Sequence, residues 1–160
     1  MRWQERNSGA ATCKFVVDTN VIVSALKALL REDRTGEERR GISSLSLLVR
    51  LVVDPSMKLF GNSVLLREYQ TFVEQLGSDI VTQILNELTA KMEVVTELPD
   101  DALRRCLGYF SGKDAKDVFH AATCLVTGAT LITNDCDFDR IRDAGLIEVW
   151  SISESIRRLL

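Results

Sequence analysis

Three carboxylates stand where structural elements should begin or end, Asp18, Asp117 and Asp135, and a fourth, Glu68, lies within a helix. Asp18 closes the apolar run Phe15-Val16-Val17, and Asp135 lies two residues past Thr130-Leu131-Ile132-Thr133. Asp114 and Asp117 are three apart at the start of a helical pattern, so they share one face. Glu68 sits among Val64, Leu65, Leu66, Tyr69 and Phe72. Carboxylates gathered at close range raise one another's pKa and do not stay ionised together without a cation. A hard divalent ion such as magnesium resolves the conflict. It takes oxygen ligands, keeps several waters and is typically held by one or two carboxylates plus a substrate phosphate. Such a site makes a water more nucleophilic and stabilises charge on a phosphodiester. It needs no histidine and no nucleophilic side chain.

Histidine is indeed scarce, since the chain has one, His120. That excludes two-histidine acid/base catalysis within one chain, H-E-x-x-H zinc sites and multi-histidine metal centres. A Ser-His-Asp triad would need His120, and no G-x-S-x-G elbow supplies its serine. No P-loop and no G-x-G-x-x-G argue for a nucleotide cofactor. The four cysteines, at 13, 106, 124 and 136, form no C-x-x-C pair. Cys106 and Cys124 lie in helix-like apolar patterns and read as buried thiols. Reduced thiols and no signal peptide point to the cytoplasm, and no apolar run approaches the ~20 residues that span a bilayer.

The chain has 160 residues, enough for one domain with its own core. Apolar residues make up 46% and charged residues 27%, a globular composition. The net charge of −3 argues against a protein that coats nucleic acid by bulk positive charge. It leaves room for a nuclease, because a cluster of acids at a metal site can hide a local basic surface.

The elements that must position the acids alternate. Residues 1–13 are patternless and read as an N-terminal arm or an expression remnant; residues 14–160 read as one domain. A strand over 14–18 precedes a helix to Leu30 that Thr19 or Asn20 can cap. Residues 31–41 are charged and contain Gly36 and Gly41. They read as a solvated loop or an extended helix end, or alternatively as a flap that touches substrate or partner. A helix is expected over Ser43–Val53, and a strand over Lys58–Phe60. Next comes a helix from Asn62 or Ser63 to Leu76, stopped by Gly77. A helix to about Lys91, a strand over 92–95 and a helix from Pro99 to about Tyr109 follow. Lys113-Asp114-Ala115-Lys116-Asp117 opens a helix to Thr127. A strand over 130–133, a short helix to Asp143, a strand over Ile147–Val149 and a helix capped by Ser153 complete the chain. The alternation predicts a three-layer α/β/α sandwich around a mostly parallel sheet of about five strands. In such sheets ligands bind at the carboxyl ends of the strands, where Asp18 and Asp135 fall.

Each acid has a plainer reading. Asp18 could be a turn acid, Asp135 the cap of the next helix, and Glu68 a surface residue. Asp114 and Asp117 at a helix start suit the helix dipole. Asn20 can cap its helix while orienting Asp18. His120, one turn after Asp117, reads as packed or as supporting the site.

Phe15-Val16-Val17-Asp18-Thr19-Asn20-Val21-Ile22-Val23-Ser24 resembles the opening motif of PIN domains, and Asp117 through Thr133-Asn134-Asp135-Cys136-Asp137-Phe138 resembles their closing motif. Ser63-Val64-Leu65-Leu66-Arg67-Glu68-Tyr69 is similar to the segment carrying their second acid. The resemblance spans about residues 14–160. It implies a ribonuclease that uses magnesium or manganese, with Asp18, Glu68, Asp117 and Asp135 as catalytic acids and metal ligands in that order. It implies supporting roles for Asn20, which matches the polar residue beside the first acid, and for Thr133, the hydroxyl before the fourth. Asp114 matches an additional acid of some members, and Asp137 is an alternative to Asp135. Lys113, Lys116, Arg39 and Arg40 are candidates to contact RNA phosphates. Many small bacterial and archaeal members are VapC-type toxins held by a small antitoxin, and such toxins commonly form homodimers. The competing expectation is a non-catalytic PIN-like module that binds RNA or protein. An aspartyl phosphotransferase is disfavoured, because the second acid most of them carry two residues after the first is here Asn20.

Overall fold

The computed structural model describes residues 12–30, 36–112 and 115–160, the side chains of 36–42 aside. Five strands form one parallel sheet: β1 (Cys13–Val17), β2 (Met57–Asn62), β3 (Glu93–Val95), β4 (Thr130–Ile132) and β5 (Val149–Trp150). Their order across the sheet is β3-β2-β1-β4-β5. Phe15, Val16 and Val17 are all buried, as a central parallel strand covered on both faces requires. Val17 pairs with Ile132, and the Asp18 N–H extends that ladder to the Ile132 carbonyl at 3.0 Å. The chain winds outward from β1 through β2 and β3, then returns to β1's other edge for β4 and β5. The gap between β1 and β4 is therefore the switch point at which α/β sheets open a crevice.

Helices α1 (Thr19–Leu30) and α2 (Gly36–Val53) make the first crossover, followed by α3 (Ser63–Leu76) and α4 (Asp79–Lys91). Helices α5 (Asp100–Leu107) and α6 (Ala115–Thr127) make the return, and α7 (Asp139–Asp143) and α8 (Ile152–Leu159) complete the chain. Helix α6 packs across β2, β1 and β4 with α5 beside it, while α2 packs on β2 between α1 and α8. This is the sandwich the alternation predicts. No helix among the described residues is long and apolar enough to cross a membrane.

Local signals set most boundaries. The Asn62 side chain accepts the Leu65 N–H at 2.8 Å and starts α3, and Gly77, with φ 59°, ends it. Cys106 and Cys124 are buried. Burial pushes the Cys106 thiol up to about 11 and Cys124 higher still, so neither is a ready nucleophile.

Helix α2 begins at Gly36 rather than Ser43, so over 36–41 the extended-helix reading of that stretch holds, and two further boundaries are corrected. Glu37-Glu38-Arg39-Arg40 are good helix formers, and they outweigh the roughly 1 kcal/mol that Gly41 costs inside a helix. Strand β5 starts at Val149 rather than Ile147, where its ladder with β4 begins, Leu131 against Val149 and Ile132 against Trp150. The last helix is capped by Ser151, whose hydroxyl accepts the Glu154 N–H at 3.1 Å; Ser153 lies exposed within the helix. Ser151 still has extended backbone, which the cap position needs, and Ser153 does not. Ser151→Ala should therefore cost about 1 kcal/mol in chemical denaturation. Ser153→Ala should stay within about 0.5 kcal/mol of wild type.

Candidate active site at the carboxyl edge of the sheet

Asp18 sits where β1 ends and α1 begins, only 8% exposed. Its Oδ1 accepts the Thr19 N–H at 2.8 Å. Its Oδ2 accepts the Thr133 hydroxyl at 2.7 Å and the Asn20 amide at 3.2 Å. Burial still raises the carboxyl above its ordinary value, although the Thr133 hydroxyl, the nearby His120 and the Thr19 N–H all oppose the rise. Thr133 does further work, since its oxygen accepts the Asp135 N–H at 3.0 Å. One hydroxyl thus joins the ends of β1 and β4.

Glu68 arrives from α3. The buried Tyr69 beside it donates its O–H to the Val17 carbonyl, pinning α3 against the end of β1. Burial pushes the Tyr69 phenol well above its ordinary value, so it remains a donor. The Glu68 Oε2 accepts the Thr19 hydroxyl at 2.6 Å and lies 3.5 Å from His120 Nε2. Lys116 Nζ stands 4.0 Å from Oε1 with its side chain 69% exposed. Burial would raise the Glu68 carboxyl, but His120, Thr19 and Lys116 together hold it below its ordinary value. Asp18, Glu68 and His120 each offer one ligand atom within 4.8 Å of the others.

The other predicted acids are placed differently. Asp117 is half-buried in the first turn of α6, outside that trio. With Asp137, Cys136, Arg140, Tyr109, Phe110 and Ser111 it lines a pocket of about 160 Å³. Asp135 accepts the Asp137 N–H at 2.9 Å and starts a single 3-10 turn, Cys136–Phe138, so the capping reading of Asp135 is realised. Asp135, Cys136 and Asp137 form a second group of potential ligands, the latter two exposed. Asn20 bridges Asp18 and Thr133 through its amide nitrogen, at 3.2 Å from each. Lys113 and Asp114 lie outside the described residues, as do the side chains of Arg39 and Arg40.

Sequence reasoning missed three contributors. Thr19 was readable only as a capping candidate, Asn62 only as a cap, and Tyr69 only as an apolar neighbour. Each has its partner on another element, so no local pattern announces it.

The two acids respond to pH in opposite senses. The folded Glu68 has a pKa below its ordinary 4.5, so its contribution is present above 4.5 and lost as pH falls through the lower folded value. The folded Asp18 has a pKa above its ordinary 3.8, so its contribution is present below 3.8 and lost as pH rises. Without divalent metal, Glu68→Gln should therefore lower the thermal midpoint at pH 7, and the deficit should shrink below pH 4.5. A deficit constant from pH 7 to pH 3 would contradict the assignment.

The family model described as PIN domain matches residues 15–144. No curated protein matches the chain. Among solved structures, VapBC2 from Rickettsia felis, bound to a DNA fragment from its promoter, is similar at TM-score 0.54 and 19% identity, covering 86% of this chain and 98% of that one. VapBC-1 from nontypeable Haemophilus influenzae is similar at TM-score 0.51 and 19% identity, covering 88% and 98%. At that identity the likeness is one of fold.

Proposed function

The chain belongs to the PIN-domain family, and from that premise we propose that it is a divalent-metal-dependent endoribonuclease, the toxin of a toxin–antitoxin pair. The observation that carries the reading is the convergence of Asp18 and Glu68 at the carboxyl end of the central strand, with ligand oxygens within 4.8 Å. This donor set suits a hard cation. Asp18 is a buried carboxylate whose pKa burial raises, and among the described residues the buried Asn20 Oδ1 beside it has no hydrogen-bond partner.

In this reading Asp18, Glu68, Asp117 and Asp135 hold magnesium or manganese, directly or through water, with Asp137 as the alternative to Asp135. Once bound, the ion supplies a more nucleophilic water and stabilises charge on the phosphodiester. The chain's own residues supply the positioning. Thr19, Asn20 and Thr133 clamp Asp18, and Thr133 fixes the backbone from which Asp135 projects. The exposed Lys116 amine stands beside Glu68, placed to meet a substrate phosphate.

RNA should be cut in magnesium or manganese, leaving 5′-phosphate and 3′-hydroxyl ends, and left intact in chelator. Asp18→Asn and Asp117→Asn should each cut the rate by at least about 100-fold, a loss of some 2.7 kcal/mol of transition-state stabilisation, with unchanged circular dichroism. Wild-type rates in both variants would overturn the reading. A non-catalytic module would show no metal-dependent cleavage at all.

The toxin half of the reading is supported by the fold shared with two VapBC structures. It entails a cytoplasmic homodimer and a small antitoxin. Expression in a bacterial host should arrest growth, and Asp18→Asn should abolish the arrest. Arrest that survives the substitution would separate toxicity from the site.

A further inference from the structure

We propose that His120 is a positioning residue for Glu68, locked by Asn62 in the tautomer that carries its proton on Nε2. The proposal rests on the metal-nuclease reading for its consequence, though not for its geometry. His120 is 1% exposed and Asn62 3% exposed, so both side chains are buried. The orientation of the Asn62 amide follows from its neighbours. Its oxygen must face the Leu65 N–H, 2.8 Å away, because that backbone donor at the helix start needs an acceptor. Its nitrogen must then face the other way, toward Thr123 Oγ1 at 2.9 Å and His120 Nδ1 at 3.3 Å, with the Phe119 carbonyl at 3.5 Å. Thr123 agrees independently. Its hydroxyl hydrogen goes to the Phe119 carbonyl at 2.8 Å, so toward Asn62 it acts as an acceptor.

A proton on Nδ1 would therefore meet an N–H donor head on. Nδ1 accepts instead, and the proton sits on Nε2, 3.5 Å from Glu68 Oε2. Oε2 then accepts the Thr19 hydroxyl at 2.6 Å and has the Nε2 proton facing it across 3.5 Å. The two groups, from α6 and α1, both bear on that oxygen and orient the carboxylate. Oε1 is left as the oxygen that can serve a cation, with the exposed Lys116 amine 4.0 Å from it. Donors behind a ligand commonly matter to metal affinity by about 10–100-fold.

The single histidine makes the test direct. In the nitrogen-15-labelled full chain without metal, the imidazole resonances should show a protonated Nε2 and an unprotonated Nδ1. Asn62→Asp keeps the helix cap, since aspartate caps as well as asparagine, but replaces the donor facing Nδ1 with an acceptor. It should put a proton on Nδ1. Manganese titration by calorimetry gives the second readout. His120→Phe should weaken binding about 10–100-fold. His120→Gln, which can both accept from Asn62 and donate to Glu68, should stay near wild type. A protonated Nδ1 in wild type overturns the proposal, as does wild-type manganese affinity in the Phe variant. If wild type binds no manganese while Nε2 carries the proton, the nuclease reading fails and so does the positioning role, leaving the contact a structural one. Should the Phe variant not fold, Asn62→Asp decides alone, through its tautomer and its manganese affinity.

Discussion

A carboxylate at the end of a buried central strand has few ways to be tolerated, and Asp18 uses most of them. Its backbone is held by the β1–β4 ladder, and its side chain is buried. The fold therefore brings donors to it. Thr19 and Asn20 come from the first turn of α1, and Thr133 comes from the end of β4. Each is a neutral donor, which softens the cost of burying charge without cancelling it. Burial therefore leaves the carboxyl shifted upward. The arrangement of Asn20, Thr133 and the Asp135 backbone follows from that one constraint.

Glu68 shows how a second carboxylate can live within 4.8 Å of the first. Its environment is the reverse of Asp18's, for it is partly open to water and faces a hydroxyl, an imidazole and an ammonium group. Its pKa is moved down where Asp18's is moved up. Separating two like charges by environment lets both approach one point at neutral pH. The overall net charge of −3 is therefore a poor guide to the site. What matters there is which donors and cations face which oxygen.

The helices that carry the site were legible because their ends are written locally. Asn62 and Gly77 bracket α3, and α6 is an apolar helical pattern ending before Gly128. Boundaries that depend on a partner were not legible. Strand β5 runs where its ladder with β4 runs, and the choice between Ser151 and Ser153 as cap depends on where that strand lets go. The acids split along the same line. Asp18 could be placed by its position after a strand. Asp135 could not be, because a residue two past a strand can face the crevice or turn back to cap, and its oxygen does cap Asp137.

The sequence by itself determined the alternation of elements, the parallel sheet it demands, and the chemistry left open once histidine is reduced to one residue. Those follow from periodicity, caps and counting, which are local or global properties of the chain. Only the tertiary structure decided which acids meet. Asp18 and Glu68 are fifty residues apart in sequence and are brought together by Tyr69 docking on Val17, while Asp117 also lines a pocket with Asp137 and Arg140. It also decided that His120 faces Glu68, through an asparagine whose amide is oriented by a helix it caps. Contacts of this kind join elements far apart in the chain, and hydrogen-bond direction depends on every neighbour at once. No spacing rule carries that information.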